Sequence, residues 1–339
     1  MQQPDSNSVT IIGTGHSIPS NFEDNIELCK RLGERAPEVT PEWITEKTGI
    51  TQRCIAAPHE TASSFALDSA CQALASANID ALMLDIIIVS TFSGDYVFPP
   101  LSAKLHQDLG ANGAQIYDIQ ANCTGVITAL TAASDRMKND PELQFALVVG
   151  VELCSRYIDR TDLNTAIYLS DGAGAIVLGR SKQGTGIQSS SFYTDSSNFE
   201  SVRMRGGGSS FPIMGRSPDP SIDYMEMNGL ATWKQAITNL PRVIKDCSAK
   251  AGVGTNQIDF IIFHQANLRM IEYIMKKMRI DASKTYTNVE RIGNTGAASL
   301  PIALSEAVQK RKIAPGSCVM LAAVGAGFNF GASMWRWQS

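Results

Sequence analysis

A cysteine at the start of a helix is a candidate nucleophile, and Cys123 has that setting. In DIQANCTGVITALTAASDRMK it falls between a strand-like run and an apolar-periodic helix. There the backbone dipole and unpaired N–H groups favour the thiolate, the form that attacks carbonyls. Two later segments offer partners. His264, in FHQAN, follows the apolar run DFIIF and so stands at a strand's C-terminal end, where ligand sites form in α/β sheets. Asn294, in GNTG, marks a turn into a helix, where an Asn alone reads as an N-cap. The three together suit thioester chemistry: a cysteine holds an acyl group, while an imidazole Nε2–H and a side-chain amide donate to a developing oxyanion without a metal. Cys29, Cys54, Cys71, Cys154, Cys247 and Cys318 lack such partners and read as structural. His16, His59 and His106 read as surface residues, and Asp171 in SDGAGA as architecture.

The elements that must position these groups repeat. A helical pattern around 61–78 leads to a strand beginning at Asp85, then to Cys123-Thr-Gly opening a helix, then to a strand ending at Gly150. A helical pattern around 231–251 leads to a strand beginning at Asp259, then to Asn294-Thr-Gly opening a helix, then to a strand ending at Gly325. The matching points lie 174, 171 and 175 positions apart, which predicts an internal duplication into halves 1–180 and 181–339. Alternating strands and helices predict two α/β units with mostly parallel central strands. If the halves pack about a pseudo-twofold axis, Cys123 and Asn294 occupy equivalent helix starts and converge near it. The segment 195–222, rich in Gly, Ser and Pro, reads as a loop over one face.

Composition narrows the class. The chain has 339 residues, a formal net charge of -4 and scattered basic residues, which gives no reason to expect nucleic acid. Its apolar runs fall short of the roughly 20 residues of a membrane-spanning helix, and MQQPDSNS lacks the pattern of a secretory signal. Seven cysteines without a CxxC pair argue against a disulfide framework and a zinc site, and fit a reducing cytoplasm.

Cys123, His264 and Asn294, with HQANLR at 264–269, GNTGAAS at 293–299, SDGAGA at 170–175 and GAGF at 325–328, resemble the β-ketoacyl-acyl-carrier-protein synthase III family of the thiolase superfamily. The resemblance runs from GTGHSIPS at 13–20 to the C-terminus. It implies a duplicated, five-layered αβαβα thiolase-like fold, a homodimer and a decarboxylative Claisen condensation between an acyl thioester and a malonyl-type thioester. No cofactor is implied, since coenzyme A or phosphopantetheine thioesters enter as substrates. The backbone N–H of Cys123 and one from Gly325-Ala326-Gly327, taken as Gly327, would form the oxyanion hole.

The resemblance also implies a tunnel. Trp43 matches the residue that stacks on adenine of coenzyme A, and Phe98 the one that ends the acyl pocket, usually supplied across a dimer interface. Arg269 would lie at the tunnel mouth, and with Lys276 and Lys277 would dock acyl carrier protein. Two positions depart from the family, which has arginines where this chain has Lys47 and Leu163. Neither side chain reproduces a planar, stacking guanidinium, which shifts weight toward a carrier-bound donor.

Other members of the superfamily fit less well. A degradative thiolase would carry a second cysteine in VGAGFNFG, and an elongating synthase a histidine in place of Asn294. Plant-type polyketide synthases share the Cys-His-Asn set on longer chains. Acyl transfer to oxygen or nitrogen, and formation of quinolones, pyrones or resorcinols, stay open. A noncatalytic carrier-binding subunit would be expected to lose the nucleophile.

Overall fold

The computed structural model describes residues 8–338. The opening residues, where the sequence predicts no secretory signal, lie largely outside them.

Two sheets are built on one plan. The first runs in the order Ser8–Ser17, Asp171–Ser181, Phe145–Leu153, Ile86–Ser90, Gln115–Ile119. The second runs Gly186–Thr194, Asn329–Arg336, Cys318–Gly325, Phe260–Phe263, and then Thr285 adds a single parallel bridge to Ile261 where the first sheet has its fifth strand. The duplication read from the spacing is therefore visible strand by strand.

The sheets are mixed, however. Ile86–Ser90 pairs in parallel with both neighbours, and Phe260–Phe263 with Cys318–Gly325, but the other pairings in the two sheets are antiparallel. Only three residues separate Cys318–Gly325 from Asn329–Arg336, and so short a connection permits no parallel crossover.

Five layers follow from strand alternation. Successive side chains point to opposite faces, so Ile86, Ile88, Ala146 and Val148 of the first sheet face inward, as do Phe260, Ile262, Val319 and Leu321 of the second. Between them lie the helices Gly125–Asn139 and Ser299–Gln309, through Val126, Leu130, Leu300 and Leu304. The opposite faces are closed by Ala62–Ala77 and Leu101–Leu109 on one side and by Gly229–Lys250 and Leu268–Met278 on the other. The two central helices matter most for function. Each is entered through one tight turn, Asn122–Thr124 in one case and Gly296–Ala298 in the other.

Candidate active site

Cys123, His264 and Asn294 line one cavity of about 140 Å³ between the halves, with walls that are mainly apolar. Cys123 and Asn294 do occupy equivalent places, on or just before the turn that opens each central helix.

The turn carrying Cys123 is held tightly. Asn122 adopts φ +50°, a left-handed conformation that Asn tolerates better than most residues, and its side-chain amide donates to Ala326 O at 3.2 Å. Gly125 packs closely on the sheet: a Cβ there would stand 1.9 Å from Ser90 Oγ and 3.1 Å from its Cβ. Gly325 lies against the same turn: a Cβ on it would sit 3.1 Å from the backbone nitrogens of Cys123 and Thr124. Any side chain at 325 would thus crowd the backbone N–H groups of Cys123 and Thr124. Gly325, Ala326 and Phe328 line the cavity, whereas Gly327, expected from the sequence as the second oxyanion donor, is not part of the lining.

The thiol itself departs from expectation. Burial, and after it the Glu152 carboxyl, pushes Cys123 up to about 12, so the resting group is a thiol and not the thiolate that a helix start favours. Desolvation outweighs the opposing backbone hydrogen bond at Cys123.

His264 follows Phe260–Phe263 directly, and its N–H still donates to Ala322 O at 2.8 Å, which fixes the ring at the strand's end. Burial drives its imidazole down to about 4, so it is neutral at working pH. Its Nδ1 lies 2.6 Å from Ser299 Oγ. Asn294 is held by backbone bonds on both sides, from its N–H to Tyr168 O and from Ser170 N–H to its carbonyl. The side-chain oxygen accepts the Gly296 N–H at 3.0 Å. This closes a local turn one residue before Thr295, which holds the N-cap position, and leaves Nδ2–H₂ with no partner within the described residues.

Two cavity groups were not picked out by the sequence. Cys154, read as structural, lines the cavity. So does Glu152, which is fully buried and pairs with no cation among the described residues. Ser93 Oγ donates to it at 2.5 Å, and Thr91 Oγ1 and Phe92 N–H approach within 3.3 Å. A signal was present: Glu152 is the one charged residue at the C-terminal end of the otherwise apolar strand Phe145–Leu153. Burial raises its carboxyl to about 8 from an ordinary 4.5, against the smaller opposing effect of those hydrogen bonds.

A raised carboxyl contributes stability that is complete below its unfolded value and is lost as pH climbs toward the folded one. Glu152→Gln removes that slope. Denaturant unfolding at pH 5 and pH 8 should show the variant gaining on the wild type by on the order of 3 kcal/mol over this interval. A difference independent of pH would mean that Glu152 is ionised in the folded chain.

The residues assigned to the tunnel are placed less simply. Arg269 is engaged with the helix Pro41–Thr48: Nε donates to Glu46 O at 2.9 Å and Nη2 to Thr45 O at 3.3 Å, while Nη1 pairs with Glu272. A guanidinium on the last carbonyls of a helix is favoured by the dipole, so Arg269 acts as a clamp between elements. Asn267, which lines the cavity, donates to Lys47 O at 3.3 Å, bringing the end of that helix to the cavity edge. Trp43 and Leu163 pack on one apolar cluster around Leu28, Ile44 and Ile167. Lys276 and Lys277 are exposed, and Lys277 donates to Ile237 O.

Phe98 stands outside its own chain's cavity, 83% exposed, beside Val97 at 99%. The phenyl rings that line the cavity are those of Phe92 and Phe328. Asp171 is buried and accepts from Ala56 N, Ser155 N and Ser155 Oγ, an architectural role. His16 is not a surface residue: its Nδ1 meets Ser305 Oγ at 2.9 Å and burial lowers its pKa. Among the described residues no cluster is arranged to hold a metal ion, and no helix is long and apolar enough to cross a membrane.

Known proteins share this architecture. Residues 117–196 match the family 3-oxoacyl-[acyl-carrier-protein] synthase III, and residues 248–337 match its C-terminal part. A β-ketoacyl-[acyl-carrier-protein] synthase III of Syntrophomonas wolfei is 38% identical over 329 residues, covering 97% of each chain. The crystal structure of the 3-oxoacyl-[acyl-carrier-protein] synthase III of Aquifex aeolicus superposes with a TM-score of 0.88 at 33% identity, covering 97% of this chain and 100% of that one. The priming β-ketosynthase of the R1128 polyketide pathway superposes with a TM-score of 0.90 at 26% identity, covering 100% and 99%. With the duplicated fold and its central cavity, these likenesses establish that the chain belongs to the β-ketoacyl-[acyl-carrier-protein] synthase III family and is a condensing acyltransferase of the decarboxylative Claisen type.

Proposed function

We propose that Cys123 takes an acyl group from a thioester donor and passes it to the enolate of a malonyl-type thioester, with His264 and Asn294 as the enolate's hydrogen-bond donors. The observation that carries this reading is the shared cavity, which brings together the Cys123 thiol, the neutral His264 imidazole and the Asn294 amide, whose oxygen already accepts the Gly296 N–H. In the first half-reaction the Cys123 sulfur bonds to the donor carbonyl, and the thiol proton ends on the departing donor thiol. In the second, the malonyl carboxylate leaves as carbon dioxide and its electron pair becomes the enolate. The imidazole N–H and the Asn294 amide meet the enolate oxygen, and as neutral donors they stabilise it without being titrated away. The enolate carbon then attacks the acyl carbonyl, and the expelled Cys123 sulfur takes up one proton. The backbone N–H of Cys123, beside Gly325, serves the oxyanion of that step.

The remaining assignments belong to the same reading. Lys276 and Lys277 offer positive charge to an acyl carrier protein. The exposed Tyr96-Val97-Phe98 segment offers an apolar surface for a second copy of the chain, which makes a homodimer the expected assembly, with the cytoplasm as its place. No cofactor is needed. Intact-protein mass spectrometry with a panel of acyl-coenzyme A and acyl-carrier donors tests the scheme, because the mass gained at Cys123 identifies the donor. No gain from any thioester in the panel would overturn it.

Donor choice should turn on Leu163. It packs on the same cluster as Trp43, where family members place an arginine. A cation–π contact is worth about 0.5–2 kcal/mol, or roughly 2- to 30-fold in affinity. Leu163→Arg should therefore lower KM for acyl-coenzyme A by that factor and leave kinetics with acyl-carrier donors nearly unchanged. Unaltered coenzyme A kinetics in a folded variant would show that residue 163 does not meet the nucleotide.

A further inference from the structure

We infer that Ser299 is a positioning residue: its hydroxyl holds His264 in the tautomer that carries hydrogen on Nε2, and decarboxylation of the malonyl-type substrate depends on it. This rests on the reading of His264 as an enolate donor and names what makes it one.

Ser299 opens the central helix Ser299–Gln309 and is 2% exposed. Its Oγ accepts the backbone N–H of Gln265 at 3.1 Å and lies 2.6 Å from His264 Nδ1. Gln265 cannot easily shift away, because its side chain donates to Phe263 O at 2.8 Å and accepts from Asn288 N at 3.1 Å. A serine hydroxyl has one hydrogen and two lone pairs. With one lone pair given to Gln265, two arrangements remain. In one, the hydroxyl donates to Nδ1, and the ring hydrogen is on Nε2. In the other, Nδ1–H donates to the oxygen, and the hydroxyl hydrogen is left buried. No other acceptor of the described residues meets Oγ, so the second arrangement strands a buried donor. The first satisfies every group.

The distinction decides what the histidine can do. A carboxylate beside Nδ1 would hold the hydrogen there and leave Nε2 as a base, as in hydrolytic triads. Here a hydroxyl stands in that place, and among the described residues no carboxylate bonds the ring. Nε2, which has no partner among the described residues, is left as a donor for an incoming oxygen.

The test is NMR of protein labelled with ¹⁵N in its four histidines, with His264→Gln used to assign the signal, alongside separate assays of malonyl decarboxylation and of Cys123 acylation. Wild-type His264 should show hydrogen on Nε2 and an unprotonated Nδ1. In Ser299→Ala the Nδ1–H form should become populated and decarboxylation should fall roughly 10-fold, the scale of a weakened transition-state donor, while acylation of Cys123 stays near its wild-type rate. Ser299→Thr keeps the hydroxyl and should restore the wild-type pattern in large part. Hydrogen on Nδ1 in the wild type would overturn the assignment without recourse to any variant, and so would a tautomer unchanged in folded Ser299→Ala. A shifted tautomer with decarboxylation intact would overturn the enolate-donor reading of His264 instead.

Discussion

Replacing Cys123 by Ala is expected to abolish both the acyl-enzyme and the condensation, leaving less than about 10⁻⁴ of the wild-type rate, because removing a nucleophile removes the covalent route altogether. The competitor to exclude is Cys154, the second thiol on the same cavity. It is 1% exposed, whereas Cys123 is only half-buried. It has neither the helix-start turn nor the backbone donors that lie beside Gly325. Cys123→Ser should fail as well, since a hydroxyl is a much weaker nucleophile than a thiol in a cavity without a general base positioned for it. Intact-mass measurement on folded Cys123→Ala decides the point. An adduct of the wild-type mass, formed with turnover, would move the nucleophile elsewhere.

His264→Ala and Asn294→Ala should each cost on the order of 10²-fold or more in malonyl decarboxylation, while Cys123 still accepts acyl groups. The two half-reactions separate because the enolate exists only in the second. Asn294→Asp is the sharper probe. It keeps the oxygen that accepts the Gly296 N–H, so the fold is retained, but it replaces the amide donor by a carboxylate that repels the developing charge. Its loss should match that of Asn294→Ala. Normal decarboxylation in both Ala variants would favour simple acyl transfer to oxygen or nitrogen.

How far the sequence carries is clearest residue by residue. Cys123, His264 and Asn294 were legible because each stands at a boundary between a periodic segment and a turn, and because the spacing repeats between halves. The repeat also foretold their convergence, which the matching strand orders bear out. What escaped was set by packing. Period-2 patterning says which strand faces are buried but not the direction of a neighbouring strand, so the antiparallel members of each sheet were missed. The Cys123 protonation state depends on how much water packing excludes around the thiol, which a strand-to-helix boundary does not reveal. Glu152 was hidden inside an apolar strand, and Ser299 inside an apolar-periodic helix. For Arg269 the resemblance implied a tunnel mouth and a docking role, but not that the carbonyls of Thr45 and Glu46 fold onto it.

The claim at the centre, that an acyl group on Cys123 is joined to carbon with loss of carbon dioxide, is tested most directly in a single turnover. Acyl-loaded enzyme is mixed with a malonyl thioester labelled with ¹³C in its free carboxyl group, and products and gas are read by mass spectrometry. One equivalent of labelled carbon dioxide should appear for each equivalent of acyl group lost from Cys123, with an unlabelled β-ketoacyl thioester as the product. Release of the acyl group without labelled carbon dioxide, or as an ester or amide, would contradict it.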